Sequence, residues 1–563
     1  MKELFEAIEQ ARPGPGRTPG AYSWPTRLSR DQPVPDPSTH AARAQARTDS
    51  GVRLAELLAA ISMATDLGMG QPLESALCSC VVAMRLAQAL DVDHETLHDV
   101  YLQALLRYIG CNADTDAMSA LFGDELALRH DFARLDPGRP AEVLGVAMRY
   151  MREAAAGEPP LRMATFVARG LVSLPRLMSE SFAGHCEVAQ RLAERLGLSA
   201  SLIACLGQIY ERWDGKGLPR KLKGEQVAQA VQIVTLAQDA VVWTRIGGAE
   251  AAVATVGKRG GGAYDPRMAT RFCEQATTIL AGLAEEPTWQ AVLELEPGEH
   301  GCLSEVELDR ACEALADFAD IKSPFTLGHS SAVASLAAGA GRRAGLVQED
   351  VTALRRAGLL HDIGRAGVSA SIWGKETPLT EREWEQVRLH TYYTARVLAR
   401  AEPLRGVAAL ASQHHERLDG SGYHRNLNAH TLTAAARILA AADAYQAMTE
   451  ARPHRAPLSP DQAAEESRRE VRAGRLDSQA VNAVLAEAGH HVSRVRMNRP
   501  RGISEREVEV LRLLVRGHSN HEMARRLVLS PDTVKHHIQH IYNKIGVSTR
   551  AGATLFAMEN DLL

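Results

Sequence analysis

The sequence predicts an all-α protein. From about residue 51 onward apolar residues recur three and four positions apart, as in LAELLAAISMATDL and CEVAQRLAERLGL, which is the period of an amphipathic helix. Runs in which Val, Ile or Thr alternate with polar residues are nearly absent, so strands are not expected. A few segments with Pro and Gly interrupt the helical pattern, and 563 residues suffice for roughly three or four domains.

Composition excludes several classes of protein. A hydrophobic content of 45%, a charged content of 23% and a net charge of -4 are ordinary for a globular protein and exclude a polyelectrolyte. No apolar run reaches the roughly 18–20 residues of a membrane helix, and the opening stretch MKELFEAIEQ lacks the apolar core of a signal peptide. The cysteines form no CxxC pair, which favours free thiols in a reducing compartment. We therefore expect a cytoplasmic protein without membrane contact.

Changes in composition divide the chain into segments. Residues 13–37 hold seven prolines among Gly, Ser and Arg, a composition typical of disorder. Breaks near 285–300 and 489–502 separate the helical stretches. The expected organisation is a disordered segment 1–50, helical domains 51–290 and 300–488, a basic linker 489–501, and a C-terminal domain 502–563.

The two large domains look like copies of one another. The stretch YERWDGKGLP at 210–219 matches HHERLDGSGYH at 414–424, and LLRYIGC at 105–111 matches LLHDIGR at 359–365. A repeat of this length, about 200 residues, indicates a duplicated domain and not a solenoid. Paired histidines precede the loop only in the second copy.

The second copy concentrates residues that bind metals. Five histidines and two aspartates fall on successive helical segments that are otherwise largely apolar or small: His329, His361, Asp362, His390, His414, His415 and Asp443. Burying so many imidazoles and carboxylates without partners is costly, whereas in a metal cluster each becomes a ligand. Mixed His and carboxylate ligands suit iron, manganese or zinc. Seven ligands are too many for one tetrahedral ion, so we expect two ions bridged by a carboxylate, an arrangement that can clamp a phosphodiester and activate water.

Five motifs of the second copy match one known family. They are Gly-His at 328–329, LLHDIGR at 359–365, LTEREWEQVRLH at 379–390, HHERLDGSGY at 414–423 and AADAYQAMT at 441–449. On these motifs residues 322–488 resemble an HD-GYP domain, the branch of the HD phosphohydrolase superfamily that hydrolyses cyclic di-GMP. The resemblance implies a first metal on His329, His361, Asp362 and Asp443, with Asp362 bridging to a second metal on His390, His414 and His415.

Three positions depart from the family pattern. Phe325 stands where the family often has a Glu ligand, which favours two metals over three. Arg365 replaces a family Lys and keeps a charge that can grip a phosphate with two hydrogen bonds. The Gly-Tyr-Pro signature reads Gly-Tyr-His at 422–424. The resemblance assigns Asp362 and Arg365 to catalysis, and Gly420, Gly422 and Tyr423 to a substrate loop.

The first copy lacks most of these ligands. The position of His361-Asp362 reads Arg107-Tyr108, the paired histidines read Ile209-Tyr210, and the closing Asp aligns with Gln238. His185 is the one apparent ligand match, and one histidine cannot assemble a binuclear site. We therefore expect residues 51–290 to keep the fold of an HD-GYP domain without its metal site.

The last segment has the features of a DNA-binding domain. Ser504 and Glu507 form a capping box ahead of an apolar helical stripe. A short helix, a tight turn and a longer helix follow in SNHEMARRLVLS and PDTVKHHIQHIYNKIG, the order of a helix-turn-helix whose second helix enters the major groove. From residue 499 onward ten Lys or Arg stand against seven Asp or Glu, a local excess of +3 in a chain of net charge -4. Such an excess favours contact with DNA.

This segment resembles a LuxR-type DNA-binding domain. The resemblance rests on S-x-R-E-x-E-V-L at 504–511, G-x-S-N at 517–520 and S-x-x-T-V-K-x-H at 530–537. It implies that the fourth helix, TRAGATLFAMEN, pairs with its mate in a dimer. A helical bundle used only for protein contacts is the alternative. The implied DNA contacts are Lys535, His536 and Gln539 from the recognition helix, with Ser519 and Thr533 at phosphates.

The combination predicts a bacterial transcription regulator with an enzymatic site. Its binuclear centre, with iron or manganese as the favoured metals, would bind and hydrolyse a cyclic dinucleotide such as cyclic di-GMP. The expected partners are double-stranded DNA, the nucleotide and a second copy of the chain. Two alternatives remain: a nucleotide sensor without turnover that controls DNA binding, and a phosphodiesterase that its DNA-binding domain merely localises.

Overall fold

The structure, a computed structural model, describes residues 51–283, 288–298, 300–489, 503–560 and 562. Within these ranges every extended regular element is helical, and strand-like pairing is limited to isolated bridges. The prediction of an all-α protein is confirmed. The disordered segment 1–50 and almost all of the linker 489–501 lie outside the described residues. No helix within the described ranges is long and apolar enough to cross a membrane.

The described helices fall into three groups along the chain. The first copy and the connection after it contain α1 Leu54–Gly68, α2 Ser75–Ala89, α3 His94–Leu106, α4 Thr115–Phe122, α5 Glu125–Phe132, α6 Pro140–Ala154, α7 Pro160–Arg195, α8 Ala200–Leu206, α9 Gln229–Arg259, α10 Pro266–Ile279 and α11 Thr288–Glu294. The second copy contains α12 Glu305–Asp320, α13 His329–Arg343, α14 Gln348–Leu360, α15 Ala370–Trp373, α16 Glu381–Leu398, α17 Arg405–Ala411, α18 Ala434–Thr449, α19 Pro460–Arg472 and α20 Ser478–Ala488. The last group is α21 Glu505–Val515, α22 Asn520–Leu527, α23 Pro531–Ile545 and α24 Arg550–Glu559.

The repeated loop has the same local geometry in both copies. The buried Glu211 carboxylate accepts hydrogen bonds from the backbone N–H groups nine and eleven residues later, at 2.7 and 2.8 Å. Glu416 accepts the corresponding two bonds, both at 2.9 Å. A Cβ on Gly217 or Gly422 would lie 2.5 Å from the Cα of that same glutamate, so each loop needs glycine there. The loop is therefore held by its own glutamate, which explains why it persists in a copy without paired histidines.

A single hydrophobic cluster runs through both copies, and buried polar contacts cross between them. The Glu125 carboxylate accepts from Lys322 Nζ at 3.3 Å and from Ser369 Oγ at 2.6 Å. The Asn112 amide donates to the carbonyl oxygen of Phe318 at 3.0 Å. Burial lowers the pKa of Lys322 to about 8, although Glu125 opposes this shift. Because such a buried pair is costly to break, these contacts hold the first copy firmly against the second.

The C-terminal helices build their own small core. It includes the buried side chains of Val510, Leu511, Val534, Ile541 and Ile545. The Ser504 hydroxyl accepts from the N–H of Glu507, whose carboxylate accepts from the N–H of Ser504, as the capping box predicts. The order of helices is that of a helix-turn-helix, with α22 and α23 as its two arms.

The C-terminal helices dock on α7 of the first copy through polar contacts. The Glu187 carboxylate accepts from the N–H of Ser548 at 3.0 Å and from Thr549 Oγ1 at 2.6 Å. Arg191 donates from Nη2 to the carbonyl oxygen of Ile545 at 2.8 Å, at the end of α23. The start of α24 and the end of α23 are thus both held by α7.

Apolar contacts complete this docking. Leu555 and Met558 of α24 belong to the large hydrophobic cluster of the two copies. A Cβ on Gly184 of α7 would lie 3.4 Å from the Cβ of Ala551. Leu327, in the second copy, packs against both that cluster and the core of the C-terminal helices. The helix expected to pair with a mate in a dimer is therefore covered by its own chain.

Candidate metal centre and DNA-reading surface

The structure brings all seven predicted metal ligands together. His329 is the first residue of α13, His361-Asp362 follows α14, and His390 lies on α16. His414-His415 follows α17, and Asp443 lies on α18. Six of the seven are buried, and the His415 side chain is 24% exposed. Three groups of these side chains have ligand atoms within 4.8 Å of one another.

The Asp362 carboxylate faces two sets of histidines. Its Oδ2 lies 3.5 Å from His361 Nε2 and 3.9 Å from His329 Nε2. Its Oδ1 lies 3.6 Å from both His390 Nε2 and His414 Nε2. One carboxylate therefore stands between two nitrogen pairs, the arrangement of a bridging ligand.

A second carboxylate spans the cluster in a similar way. Asp443 Oδ1 lies 3.3 Å from His329 Nε2 and 3.8 Å from His361 Nε2. Its Oδ2 lies 3.7 Å from His415 Nδ1. The two aspartates together enclose a space on which all five imidazoles converge.

Hydrogen bonds on the far side of the rings set their tautomers. His361, His390 and His414 each direct Nδ1 at the carbonyl oxygen three residues earlier, at 2.7, 2.5 and 2.7 Å. A carbonyl can only accept, so each Nδ1 carries the proton and each Nε2 presents a lone pair to the cluster. His390 Nε2 and His414 Nε2 then face each other at 3.1 Å, and His361 Nε2 is buried without a hydrogen-bond partner among the described residues. Facing lone pairs repel unless a cation lies nearby, so these residues fit metal ions.

Electrostatics favour the protonation state that metals require at three of the predicted ligands. Burial, reinforced by His361, lowers the pKa of His414 to about 3, and burial also lowers the pKa of His390. Burial opposes ionisation of Asp362, yet His361 and Arg365 hold its pKa well below the usual range. Metal binding needs neutral imidazole and ionised carboxylate, and these shifts favour that state for His390, His414 and Asp362.

Glu450, the residue after α18, orients the remaining buried histidine, His329, and was not predicted. It accepts from His329 Nδ1 at 2.9 Å and is paired with Arg452 at 3.0 Å. Although burial opposes protonation, Asp443 and Glu450 raise the pKa of His329 to about 10. Glu450 follows Asp443 by seven residues, two turns on the same side of the helix, a spacing visible in the sequence. A carboxylate behind a histidine ligand is a common support in metal sites.

Two guanidinium groups lie at the rim of the centre. Arg365 donates from Nη1 to Asp362 Oδ2 at 3.1 Å, and its guanidinium lies 3.9 Å above the Trp373 ring. Burial and the neighbouring Arg365 lower the pKa of Arg452. Arg452 donates to the backbone carbonyl of Phe325 at 3.3 Å. Phe325 stands at the position where the family often has a Glu ligand.

The predicted substrate loop borders the same centre. The Tyr423 ring stacks on His415 with 4.7 Å between ring centroids. Gly420 turns the loop with a φ of +79°, and Gly422 allows its close return. In place of the family Pro, His424 is 3.0 Å from Thr391 Oγ1.

The first copy replaces ligands with a network of paired charges. His185 Nε2 lies 2.9 Å from Asp114 Oδ1, and its Nδ1 lies 2.8 Å from the Tyr210 hydroxyl. Asp114 also accepts from Arg129 at 2.7 Å. Despite burial, Asp114 raises the pKa of His185 to about 10, and both ring nitrogens of His185 already lie against groups of the first copy. All potential metal groups in the described part of the chain lie in the second copy.

The predicted DNA contacts lie on and ahead of two helices. Lys535, His536 and Gln539 are exposed on α23. Thr533 is half-buried near the start of α23, where its N–H bonds to the Ser530 hydroxyl at 3.0 Å. Ser519 is exposed, and its hydroxyl accepts from an N–H of the first turn of α22 at 3.3 Å. The docking on α7 leaves the Lys535, His536 and Gln539 side chains of α23 exposed.

Two family models match the chain. Residues 313–480 match the HD domain, and residues 502–557 match the luxR family of bacterial regulatory proteins.

The relatives are cyclic dinucleotide phosphodiesterases. The 3'3'-cGAMP-specific phosphodiesterase 3 of Vibrio cholerae is 30% identical over 415 residues, which is 73% of this chain and 89% of that protein. The 3'3'-cGAMP-specific phosphodiesterase 1 of the same organism is 38% identical over a segment that makes up 30% of this chain and 40% of that protein. A cyclic di-GMP phosphodiesterase of Thermotoga maritima is 34% identical over a segment that makes up 25% of this chain and 39% of that protein.

A solved structure supports the same relationship over both copies. The crystal structure of the cyclic GMP-AMP specific phosphodiesterase V-cGAP3 of V. cholerae aligns with a TM-score of 0.55 and 26% identity, covering 78% of this chain and 98% of that one. Coverage of this extent includes the copy without metal ligands as well as the copy with them. The chain belongs to the HD-GYP family of metal-dependent phosphodiesterases, and it carries a LuxR-family DNA-binding domain after the catalytic copy.

Proposed function

We propose that the second copy hydrolyses a 3'3'-linked cyclic dinucleotide at a binuclear metal centre, and that the LuxR-family domain makes the chain a transcription regulator. The observation that carries this proposal is the placement of the two Asp362 oxygens between two histidine sets. The relative that spans both copies is named for 3'3'-cGAMP, and others for cyclic di-GMP. These two nucleotides are therefore the substrates to test first.

The proposed ligand roles follow the distances. His329, His361 and Asp443 would hold one ion, His390, His414 and His415 the other, and Asp362 would serve both. Nitrogen and carboxylate oxygen together favour iron or manganese. Bound ions supply Lewis-acid activation of water and neutralise charge on the phosphodiester.

Protein groups around the centre would hold the substrate. Arg365 fixes the Asp362 carboxylate by its hydrogen bond and, with Arg452, places positive charge where a phosphate would approach. Tyr423 packs on His415 and so keeps the substrate loop against the metal centre. Glu450 keeps His329 aimed at the two aspartates.

The C-terminal DNA-binding domain contacts the second copy close to one of the proposed metal ligands. Leu327 precedes His329 by two residues and packs against the core of the C-terminal helices. We infer that docking on α7 restrains the DNA-binding domain and keeps α24 from pairing with a second copy. A nucleotide would change DNA binding to the extent that it binds the docked and released states unequally.

The metal assignment predicts which substitutions remove metal. The double variant His361→Ala/Asp362→Ala should lower the metal content from about two ions per chain to near zero and abolish hydrolysis of both dinucleotides, because it removes the bridging carboxylate. Element analysis and chromatography of the reaction products would measure this. His185→Ala is the matched control and should keep the metal. Unchanged metal in the double variant would contradict the assignment, while metal and bound nucleotide without turnover would favour the sensor alternative.

The contact between Glu450 and His329 predicts a weaker metal site when the charge is removed. Glu450→Gln keeps the size of the side chain and should reduce metal affinity by about 10–100-fold, the usual effect of losing such a support. Metal titration of the stripped protein measures the affinity. The exposed Glu376 of the same copy offers the control, Glu376→Gln, and equal affinities for the two variants would show that Glu450 has no such role.

The exposed face of α23 predicts electrostatic DNA binding. Lys535→Ala should weaken binding to a selected DNA fragment and reduce the slope of log affinity against log salt by about one, since one positive charge facing the DNA is lost. Fluorescence anisotropy over a range of salt concentrations gives both values. Lys216→Ala, in the first copy, should change neither. Full affinity in a Lys535→Ala/His536→Ala double variant would rule out α23 as the recognition helix.

The docking predicts that loosening it strengthens DNA binding. Glu187→Ala/Arg191→Ala removes the polar contacts on α7 and should raise DNA affinity about fivefold or more, a coupling of ordinary size. It should also increase the dimeric fraction in sedimentation experiments. The exposed Arg162, at the opposite end of the same helix, provides the control, Arg162→Ala. A fall in affinity, or no change in either measurement, would refute restraint by docking.

A further inference from the structure

The first copy contains a small pocket where the second copy has its metal ligands. The helix α2 starts at Ser75 after a residue with positive φ, as α13 starts at His329. The Asp66 carboxylate accepts from the second N–H of α2 at 3.0 Å, and Asp320 accepts from the second N–H of α13 at 2.8 Å. Ser75 therefore occupies the position of His329.

Four lining residues of the pocket correspond to metal ligands of the second copy. Ser75, Arg107, Tyr108 and Gln238 stand in the places of His329, His361, Asp362 and Asp443. The cavity volume is about 20 Å³. That volume admits a water molecule or a small ion and excludes a nucleoside.

Arg107 has hydrogen-bonding capacity that the protein does not use. Its Nη2 donates to the carbonyl oxygen of Ile209 at 3.1 Å. Its Nε and Nη1 are buried and have no hydrogen-bond partner among the described residues, and the whole residue is 8% exposed. A buried donor without an acceptor carries a desolvation cost that a bound acceptor would remove.

The charges around the pocket favour an anion. Arg245 also lines it and approaches the Ser75 hydroxyl. Asp66 is the one carboxyl group among the lining residues, and burial, opposed by Arg245, raises its pKa to about 8. The nearby Asp239 is already paired with Arg259 at 2.6 Å. Two guanidinium groups and one carboxyl group thus line the cavity, and burial disfavours the charged form of that carboxyl group.

We propose that the first copy binds a small inorganic anion in this pocket, with the guanidinium of Arg107 in the place of the lost metal ions. The anion would accept the unused N–H bonds of Arg107 and stabilise the first copy against unfolding. Phosphate and chloride share this chemistry. The inference is independent of catalysis, because the second copy contributes no residue to the pocket.

Thermal unfolding of the full-length chain tests the proposal. In chloride-free buffer at constant ionic strength, added phosphate or chloride should raise the unfolding temperature, and the response to each anion identifies which one fits. Arg107→Met should raise the apparent Kd at least about tenfold, as expected when hydrogen bonds from a charged group are lost. The exposed Lys258 of the same copy supplies the charge-matched control, Lys258→Met, which should respond like the parent. Any anion binding in the second copy is common to all variants.

A second variant covers the case in which Arg107→Met does not fold. Gln238→Glu keeps the arginine and places a carboxylate in the pocket, which should stabilise the chain and abolish the response to anions. The proposal is overturned if the parent responds to neither anion, or if Arg107→Met or Gln238→Glu responds as the parent does.

Discussion

The Asp362 carboxylate must face two sets of histidines at once, and the second copy is arranged around this requirement. The chain leaves α14 in a tight turn at Asp362 and passes so close to α16 that a Cβ on Gly364 would overlap the carbonyl oxygen of His390. Thr394 ties the two segments by donating to the His361 carbonyl and accepting from the Gly364 N–H. These backbone contacts fix the distance between the His-Asp pair and His390. The other predicted ligands lie on or next to α13, α17 and α18, which pack on α14.

Comparison of the two copies distinguishes the residues that the fold requires from those that the metal site requires. In the first copy Gly110 makes the same close approach to the carbonyl of His185, so the scaffold of the site survives. The ligands do not, and their places are taken by hydrogen-bonded charges and by Arg107. A buried site that loses its metal must be neutralised in another way, since unpaired imidazoles and carboxylates are costly in a protein interior. The paired network around Asp114 meets that need, and the copy remains part of the common core.

The sequence predicted the helical fold, the repeat and the histidines and aspartates that cluster in the second copy, because each has a local signal. Histidines in apolar surroundings, such as His361, are costly without partners and so mark a site. Glu450 and Arg452 were missed because charged residues just after a helix usually lie in solvent. Asp114 was missed because its pairing with His185 joins segments far apart in the chain. The docking of α24 on α7 has no local signal at all, since helix periodicity shows that a face is apolar and not which surface covers it.

If the docking restrains the DNA-binding domain as proposed, Leu327 links DNA binding and nucleotide binding thermodynamically. This side chain touches the core of the DNA-binding domain and begins the segment that delivers His329 to the metal centre. Binding free energies are coupled reciprocally, so a nucleotide that changes DNA affinity is itself bound more or less tightly, by the same factor, when DNA is present. Promoter DNA would then act as an effector of the phosphodiesterase. The regulated gene would help to set the local lifetime of the messenger that controls it.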